Sequence, residues 1–232
     1  MSVYLIPCPI EEGRMEDLPD ATLSILHSLT HFVVERAKTA RHFIKNSGHP
    51  SPISTLHIIE IGDLNLDWKS EVSCWINDDI PFGIISEAGC PGIADPGAEI
   101  VAMAHKAKKR VKPLVGPSSI FLALMSGGLN GQKFSFNGYL PNKKNELTPV
   151  LKKLEKEALT GHTQIFMETP YRNSFILEAI CSSLHENTIL CVACDITGDN
   201  ENIISQSIKY WKTADYSIYH KKPCVYILGI FS

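Results

Sequence analysis

The chain lacks any long apolar run. Nothing in its 232 residues approaches the roughly 20 consecutive apolar residues of a membrane-spanning helix. Its amino-terminal stretch, MSVYLIPCPIEEGR, has too short an apolar run for a signal peptide, and too little positive charge ahead of it. It lacks an excess of cations: the net charge is −3, so there is no global basic field of the kind many nucleic-acid binders carry. An RNA partner would need a local patch. Cysteine is present, but seven of them, an odd number at irregular spacing, do not make a disulfide framework. Together these absences point to a reduced, cytoplasmic setting. Neither G-x-G-x-x-G nor a P-loop occurs, so the sequence holds no phosphate cradle. That argues against a nicotinamide dehydrogenase. Internal repeats and low-complexity segments are also missing.

What is there is ordinary globular material, 44% hydrophobic and 20% charged. It suffices for a substantial core in one large domain or two small ones. Short apolar runs alternate with amphipathic stretches. VYLI (3–6), HFVVE (31–35), FGIIS (82–86) and VKPLV (111–115) read as buried strands. Between them, Asp20 and Asp67 are placed to cap helices. One carries Leu23, Leu26 and Leu29 on a face, the other Trp68, Val72, Trp75 and Ile76. A third helix has Ile100, Met103, Ala104 and Ala107 as its apolar stripe, and ends in lysines that suit the macrodipole.

After Gly116 the rhythm changes. GPSSIFLALMSGGL is apolar nearly all round and predicts an enclosed helix ended by Gly127 and Gly128. Strands are expected at 133–137, 164–167, 188–194 and 224–230, and a charged helix at 146–158. A further helix is expected at 170–184, with Thr169 as N-cap and Pro170 at its first position. The fold class is therefore α/β in two domains, 1–116 and 117–232, the first with a mostly parallel sheet and the second mixed.

In open α/β sheets ligands bind beyond the carboxyl ends of strands. SEAGCPGIADPG (86–97) leaves a strand directly, as do PCPIEEG (7–13) and ETPYR (168–172). The first is punctuated more densely than a turn requires. Gly89 and Gly92 let backbone approach a ligand with no Cβ in the way, and Pro91 and Pro96 stiffen the loop.

ISEAGCPGIADPG, VKPLVGPSSIFLALMSGGL, FSFNGYLP and IFMETPYR, in that order and at about these spacings, resemble successive motifs of the tetrapyrrole methylase-like superfamily. The branch they match best is the bacterial 16S ribosomal RNA cytidine-2′-O-methyltransferase family. Diphthine synthase and the cobalt-precorrin methylases are more distant. The resemblance spans roughly residues 3–230. It implies two α/β domains with S-adenosylmethionine in the cleft between them, and a homodimer. Carried over by motif, Ile10 would border the donor. Gly89, Cys90, Pro91 and Ile93 would contact it mainly through backbone, and Ser118 and Ser119 would add amides and hydroxyls. Met167, Ala193 and Cys194 would lie near the adenine, with Pro223 and Cys224 as further candidates. Such a lining suits an adenosyl sulfonium, which carries its own reactivity and needs positioning and desolvation.

The substrate side departs from the family. Pro9-Ile10 is followed by Glu11, Glu12 and Gly13, where the family has Gly-Asn-Leu. Glu35 is followed by Arg36, Ala37 and Lys38 in place of Asp-Thr-Arg, with Arg41 further on. Glu87 stands for an aspartate, and 194–198 reads CDITG where the family has Arg-Glu-Leu-Thr-Lys. The chain leaves no room for the extra C-terminal segment of many ribosomal members. Candidate acceptor-side residues are Glu35, Arg41, Glu87, Asp95, Lys143 and Glu168. A carboxylate among them would orient or deprotonate an acceptor, although Asp95 and Glu168 also suit local capping and pairing. No catalytic residue is singled out.

No metal site is expected. Cys191 and Cys194 point to opposite faces of a strand, and His27 and His31 read as surface or packing residues. The run HKAKKRVK (105–112) reads as a solvated helix end and Trp68 and Trp75 as packing residues, while Lys143 and Lys144 suit a substrate role. The sequence thus points to an S-adenosylmethionine-dependent methyltransferase. Its acceptor is either an RNA ribose or a small, tetrapyrrole-like molecule. The altered motifs keep open a donor-binding protein without turnover.

Overall fold

A computed structural model describes residues 2–62 and 67–231. The chain divides into two compact units, Met1–Ser118 and Ser119–Ser232.

The first unit alternates β1 (Ser2–Ile6), α1 (Asp20–Ser28), β2 (His31–Val34), α2 (Ala37–Asn46), β3 (His57–Glu60), α3 (Trp68–Asn77), β4 (Phe82–Ile85), α4 (Gly97–Lys106) and β5 (Arg110–Pro113). Its sheet is wholly parallel, in the order β3-β2-β4-β1-β5. Parallel strands covered on both faces read as continuous apolar runs, and here the alternation sends side chains to two cores. Ile6, Phe32, Val34 and Ile85 pack with Leu26 of α1 and Ala40 and Ile44 of α2. Val3, Val33, Phe82 and Ile84 pack with Val72 and Trp75 of α3 and Ile100 of α4. Gly83 sits at the centre of β4, between β1 and β2. A Cβ there would lie 2.4 Å from Ile6 Cδ1, so the glycine makes room for that side chain. Asp67 caps α3 as expected, accepting from the Ser70 amide at 3.2 Å and hydroxyl at 2.7 Å.

The second unit contains α5 (Ser119–Ser126), β6 (Phe134–Tyr139), α6 (Lys144–Ala158), β7 (Thr163–Glu168), α7 (Asn173–Ser183), β8 (Ile189–Cys194), β9 (Asn202–Ser207), α8 (Ile208–Trp211) and β10 (Cys224–Gly229). Its sheet runs β6-β7-β10-β8-β9, with β6 and β7 parallel and the other neighbours antiparallel. One face builds a single core in which Leu147 and Leu151 of α6 and Ile176 and Ile180 of α7 meet Phe166 and Tyr226. Trp211 is fully buried because its indole N–H has a partner, the Leu190 carbonyl at 2.9 Å.

The expected α/β class holds, with one parallel and one mixed sheet. Several local features differ from the pattern reading. β3 and β9 are strands that the apolar pattern does not announce. The same is true of the helix α2, whose apolar stripe is only Ala37, Ala40 and Ile44, hidden among cations. The helix α5 is not enclosed all round: Ile120, Ala123 and Leu124 are buried, but Phe121 is 51% and Met125 78% exposed. A stripe of spacing i, i+3, i+4 covers one face only. The helix expected at 170–184 begins as a 3-10 turn, Pro170–Arg172, before α7, and the Thr169 side chain makes no capping bond. The Thr169 amide donates instead to Glu168 Oε1 at 2.8 Å. Among the described residues, no helix is long and apolar enough to cross a membrane.

Candidate functional site

Three loops meet at the carboxyl edge of the parallel sheet. Cys8, following β1, donates its amide to the Gly89 carbonyl at 2.9 Å, and the Gly89 amide returns to the Cys8 carbonyl at 3.1 Å. The Cys8 thiol donates to the Ser86 carbonyl at 3.3 Å, and burial pushes its pKa well up. Glu35, following β2, donates its amide to the Ile85 carbonyl at 3.3 Å, and its carboxylate accepts from the Glu87 amide at 3.4 Å. Partial burial raises the Glu35 carboxyl above its ordinary range. The neighbouring Glu87 and Asp95 charges add to the rise, and the Glu87 amide and Arg36 oppose it.

Residues 86–97 form a braced loop. Gly89, Gly92 and Ala94 have left-handed φ of +68°, +84° and +64°. Asp95 Oδ1 accepts the Gly92 amide at 2.7 Å and the Gly97 amide at 2.8 Å, so this carboxylate ties the loop to the start of α4. The Cys90 thiol donates to the Pro117 carbonyl at 3.3 Å and is raised by burial and then by Asp95. Among the described residues, the amides of Cys90, Ile93 and Ala94 donate to no protein acceptor. Pro91 is buried and Ile93 is 44% exposed. Backbone donors left free by a rigid loop are ready for a ligand or for water.

Beside this loop lies a cavity of about 380 Å³. Cys8, Pro9, Ile10 and Met15 supply its apolar lining, and Ser86 and Glu87 enter from the β4 loop. The remaining wall is one side of α2: Lys38, Thr39, His42, Phe43 and Asn46. These positions are neighbours on a helix of 3.6 residues per turn. The Thr39 hydroxyl donates to Glu87 Oε1. His42 Nε2 lies 2.8 Å from Asn46 Nδ2 and 3.5 Å from Glu12 Oε1. The first contact suits the neutral ring, accepting from the amide, and the second the protonated one. Glu60, ending β3, caps α2 by accepting the Ala37 amide at 2.7 Å.

In the second unit, sheet register collects the other expected positions. Met167, Val225 and Ala193 form one row across β7, β10 and β8, and Glu168, Cys224 and Cys194 form the next. The Asp195 amide donates to the Pro223 carbonyl at 3.1 Å. Cys194 and Cys224 are therefore a non-hydrogen-bonded cross-strand pair, the closer kind. A thiol–thiol hydrogen bond lowers the pKa of Cys194 and, with burial, raises that of Cys224. Asn173, buried beside them, donates to the carbonyls of Tyr219 at 2.6 Å and Lys222 at 2.8 Å, and accepts from the Tyr226 hydroxyl at 2.9 Å.

Glu168 is buried and lies 3.0 Å from Arg172, which also donates to the Pro141 carbonyl at 3.2 Å. Its role here is local pairing. Lys143 is an exposed partner of Glu146 at 3.5 Å. Arg41 is exposed on α2 and does not line the cavity. Of the expected acceptor-side residues, then, Glu87 lines the cavity and Glu35 lies directly behind it. Ile10, expected at the donor, also lines the cavity. Cys191 and Cys194 do fall on opposite faces of β8, one facing Gly127 and the other in the core. All seven cysteines are free, and among the described residues no cluster of three His, Cys, Asp or Glu could hold a metal. Sequence reasoning missed the α2 wall, whose only signal was the short buried stripe Ala37, Ala40 and Ile44, of which Ala40 also reaches the cavity.

No family model matches the chain. Curated relatives do, each named ribosomal RNA small subunit methyltransferase I. The Escherichia coli O157:H7 protein is 29% identical over 87% of this chain and 67% of its own length. The Vibrio cholerae protein is 30% identical over 79% and 58%. The Buchnera aphidicola protein is 28% identical over 99% and 78%. Depending on the relative, the chain thus spans between about three-fifths and four-fifths of that protein's length. Among solved structures, a cobalt precorrin-4 methyltransferase of cobalamin biosynthesis matches with a TM-score of 0.62. The match covers 98% of this chain and 94% of that one, at 12% identity.

Proposed function

We propose that this chain, a methyltransferase of the tetrapyrrole methylase-like superfamily by its motifs, relatives and fold, transfers the methyl group of S-adenosylmethionine to a ribose hydroxyl of RNA. The observation that carries this is the braced loop at 86–97, with the free amides of Cys90, Ile93 and Ala94 and the exposed Ile93 beside them. Fixed donors and an apolar side chain suit a ligand that is part methionine and part adenosine. The resemblance also assigns Ile10, Gly89, Cys90, Pro91, Ile93, Ser118 and Ser119 to that ligand, and Met167, Ala193, Cys194, Pro223 and Cys224 after them. Gly89 would act by shaping the loop, since its own amide and carbonyl are paired with Cys8.

The acceptor oxygen forms a bond to the methyl carbon as the carbon–sulfur bond breaks. The bonding pair returns to sulfur, giving S-adenosylhomocysteine. The hydroxyl proton needs a base. Glu87, at the cavity wall, is the candidate, and Glu35 behind it supplies a second carboxylate whose raised pKa lies nearer the working range of a general base. An RNA acceptor is supported by the names of the curated relatives. A homodimer is part of the proposal through the resemblance. A cytoplasmic location is also part of it, from the free cysteines.

Calorimetric titration with S-adenosylmethionine and S-adenosylhomocysteine, with NAD as control, tests the donor. Transfer of labelled methyl to small-subunit RNA tests the acceptor. The departures at 11–13 and 36–38 motivate a second reading, donor binding without turnover. Tight donor binding with no methylated product from any RNA or porphyrinoid would favour it.

A further inference from the structure

The cavity in the first unit has a polarity that the methyl-transfer reading does not by itself explain. Its volume, about 380 Å³, lies near the lower end of the roughly 300–1,000 Å³ usual for small-molecule sites. That is room enough for one nucleoside. Its lining includes Phe43, with its ring partly buried against the core, the amide of Asn46 and the carboxylate of Glu87, with His42, Glu12 and Lys38 exposed at its mouth. The two carboxylates would repel a polyanionic tetrapyrrole. The helix that forms the wall is charged the other way. From Arg36 to Asn46 it carries Arg36, Lys38, Arg41 and Lys45, with no carboxylate of its own. All four cations are exposed, and among the described residues Lys38, Arg41 and Lys45 pair with no carboxylate.

Two of the motif departures, at 11–13 and at 36–38, fall on this one feature. Glu12 and Gly13 line it from the β1 loop and Lys38 from α2.

We infer that the cavity receives a single nucleoside turned out of an unpaired RNA strand, with the flanking phosphates lying along α2 from Lys38 at the cavity rim to Arg41 and Lys45. The inference rests on the RNA reading above and deepens it. A neutral base and sugar are what a partly aromatic cavity with charges of both signs at its wall accepts. The phosphates are what Lys38, Arg41 and Lys45 accept. Recognition of unpaired RNA by an aromatic face plus hydrogen-bonding side chains follows general physics: a splayed base exposes both its π-face and its pairing edge. Phe43 would take the face, Asn46 and His42 the edge, and the sugar hydroxyl would point toward Glu87. Asn46, His42 and Phe43 are then the specificity-determining residues.

The test is fluorescence titration of the full chain with a labelled single-stranded oligoribonucleotide from the small-subunit RNA. The same strand annealed into a duplex and a polycarboxylate porphyrin serve as comparisons. Phe43→Leu keeps the bulk and removes the stacking face, and should weaken single-strand binding roughly five-fold or more. Asn46→Ala should lower affinity and flatten discrimination among bases. Lys38→Glu combined with Lys45→Glu should reduce the slope of log affinity against log salt by about 0.7 for each phosphate no longer neutralised. Lys106→Glu with Lys108→Glu, on the exposed end of α4 and its loop, should leave that slope unchanged.

Donor affinity, measured by calorimetry on each variant, reports whether the variant is folded. Single-strand binding that ignores Phe43, Asn46 and the α2 lysines overturns the nucleoside assignment while leaving RNA methylation standing. Equal affinity for the duplex overturns it too. Porphyrin binding that depends on Phe43 and Asn46, with no RNA binding, overturns both.

Discussion

Cys8 and Gly89 exchange both of their backbone hydrogen bonds, at 2.9 and 3.1 Å, although 81 positions (89 − 8) separate them in the chain. This single two-residue bridge joins the loop after β1 to the loop after β4. It fixes where the free amides of Cys90 and Ile93 stand relative to Ile10 and the cavity. Because Gly89 holds a φ of +68°, the bridge is favoured by a residue without a Cβ.

Two glycines of this region should respond differently to alanine. At Gly89 an added Cβ would meet only the Pro117 carbonyl, at 3.6 Å. The cost is then the left-handed backbone alone, about 1–2 kcal/mol. At Gly116 the Cβ would lie 2.4 Å from Pro7 Cβ and Cγ. That ring cannot swing aside, and overpacking costs about 1–3 kcal/mol with displacement of the loop. Urea unfolding should show both losses, and donor titration should show the larger drop in affinity for Gly116→Ala.

Asp95→Ala removes the acceptor shared by the Gly92 and Gly97 amides. Losing the charged acceptor of two backbone amides should cost about 1.5–3 kcal/mol. Donor affinity should fall with it, since the loop is then free to leave its braced form. Unchanged affinity for S-adenosylhomocysteine would separate loop bracing from donor binding.

Glu35 gives a pH signature of unusual sign. Its folded-state pKa is raised, so between the unfolded value and the folded value the native state holds more proton than the unfolded chain. Its contribution to stability therefore falls as pH rises through that window, the reverse of a salt-bridged carboxylate. Glu35→Gln should be about as stable as the parent at pH 4 and more stable at pH 7. Melting temperatures across that range decide it, and a gap that closes with rising pH contradicts the assignment.

Asn173 satisfies three partners at once, two of them buried and the Lys222 carbonyl partly so. Asn173→Ala strands the Tyr226 hydroxyl and two carbonyls, each costing about 1–3 kcal/mol when buried and unpaired. A loss of about 2–4 kcal/mol is expected, with part of the cost relieved by water. Hydrogen exchange should rise first at residues 219–226, where the Pro223 and Cys224 positions are set.

The fold class was legible in the sequence alone, as were the loops after β1 and β4. Short apolar runs such as FGII and VYLI, broken by amphipathic helices, allow little besides a covered parallel sheet, because strands apolar on both sides must be buried on both sides. Dense glycine and proline at 89–97 announced a loop with a special backbone, since only such residues adopt those dihedrals freely. The Asp67 cap was readable for the same reason: capping is local chemistry. The wall of the cavity was not readable. Lys38, His42, Phe43 and Asn46 look like ordinary surface until α2 is docked by the small stripe Ala37, Ala40 and Ile44. Nor does local sequence say that Cys8 pairs with Gly89, or that Cys194 faces Cys224. Those pairings join residues far apart in the chain, and only the packing of whole strands, through burial and ladder register, brings them together.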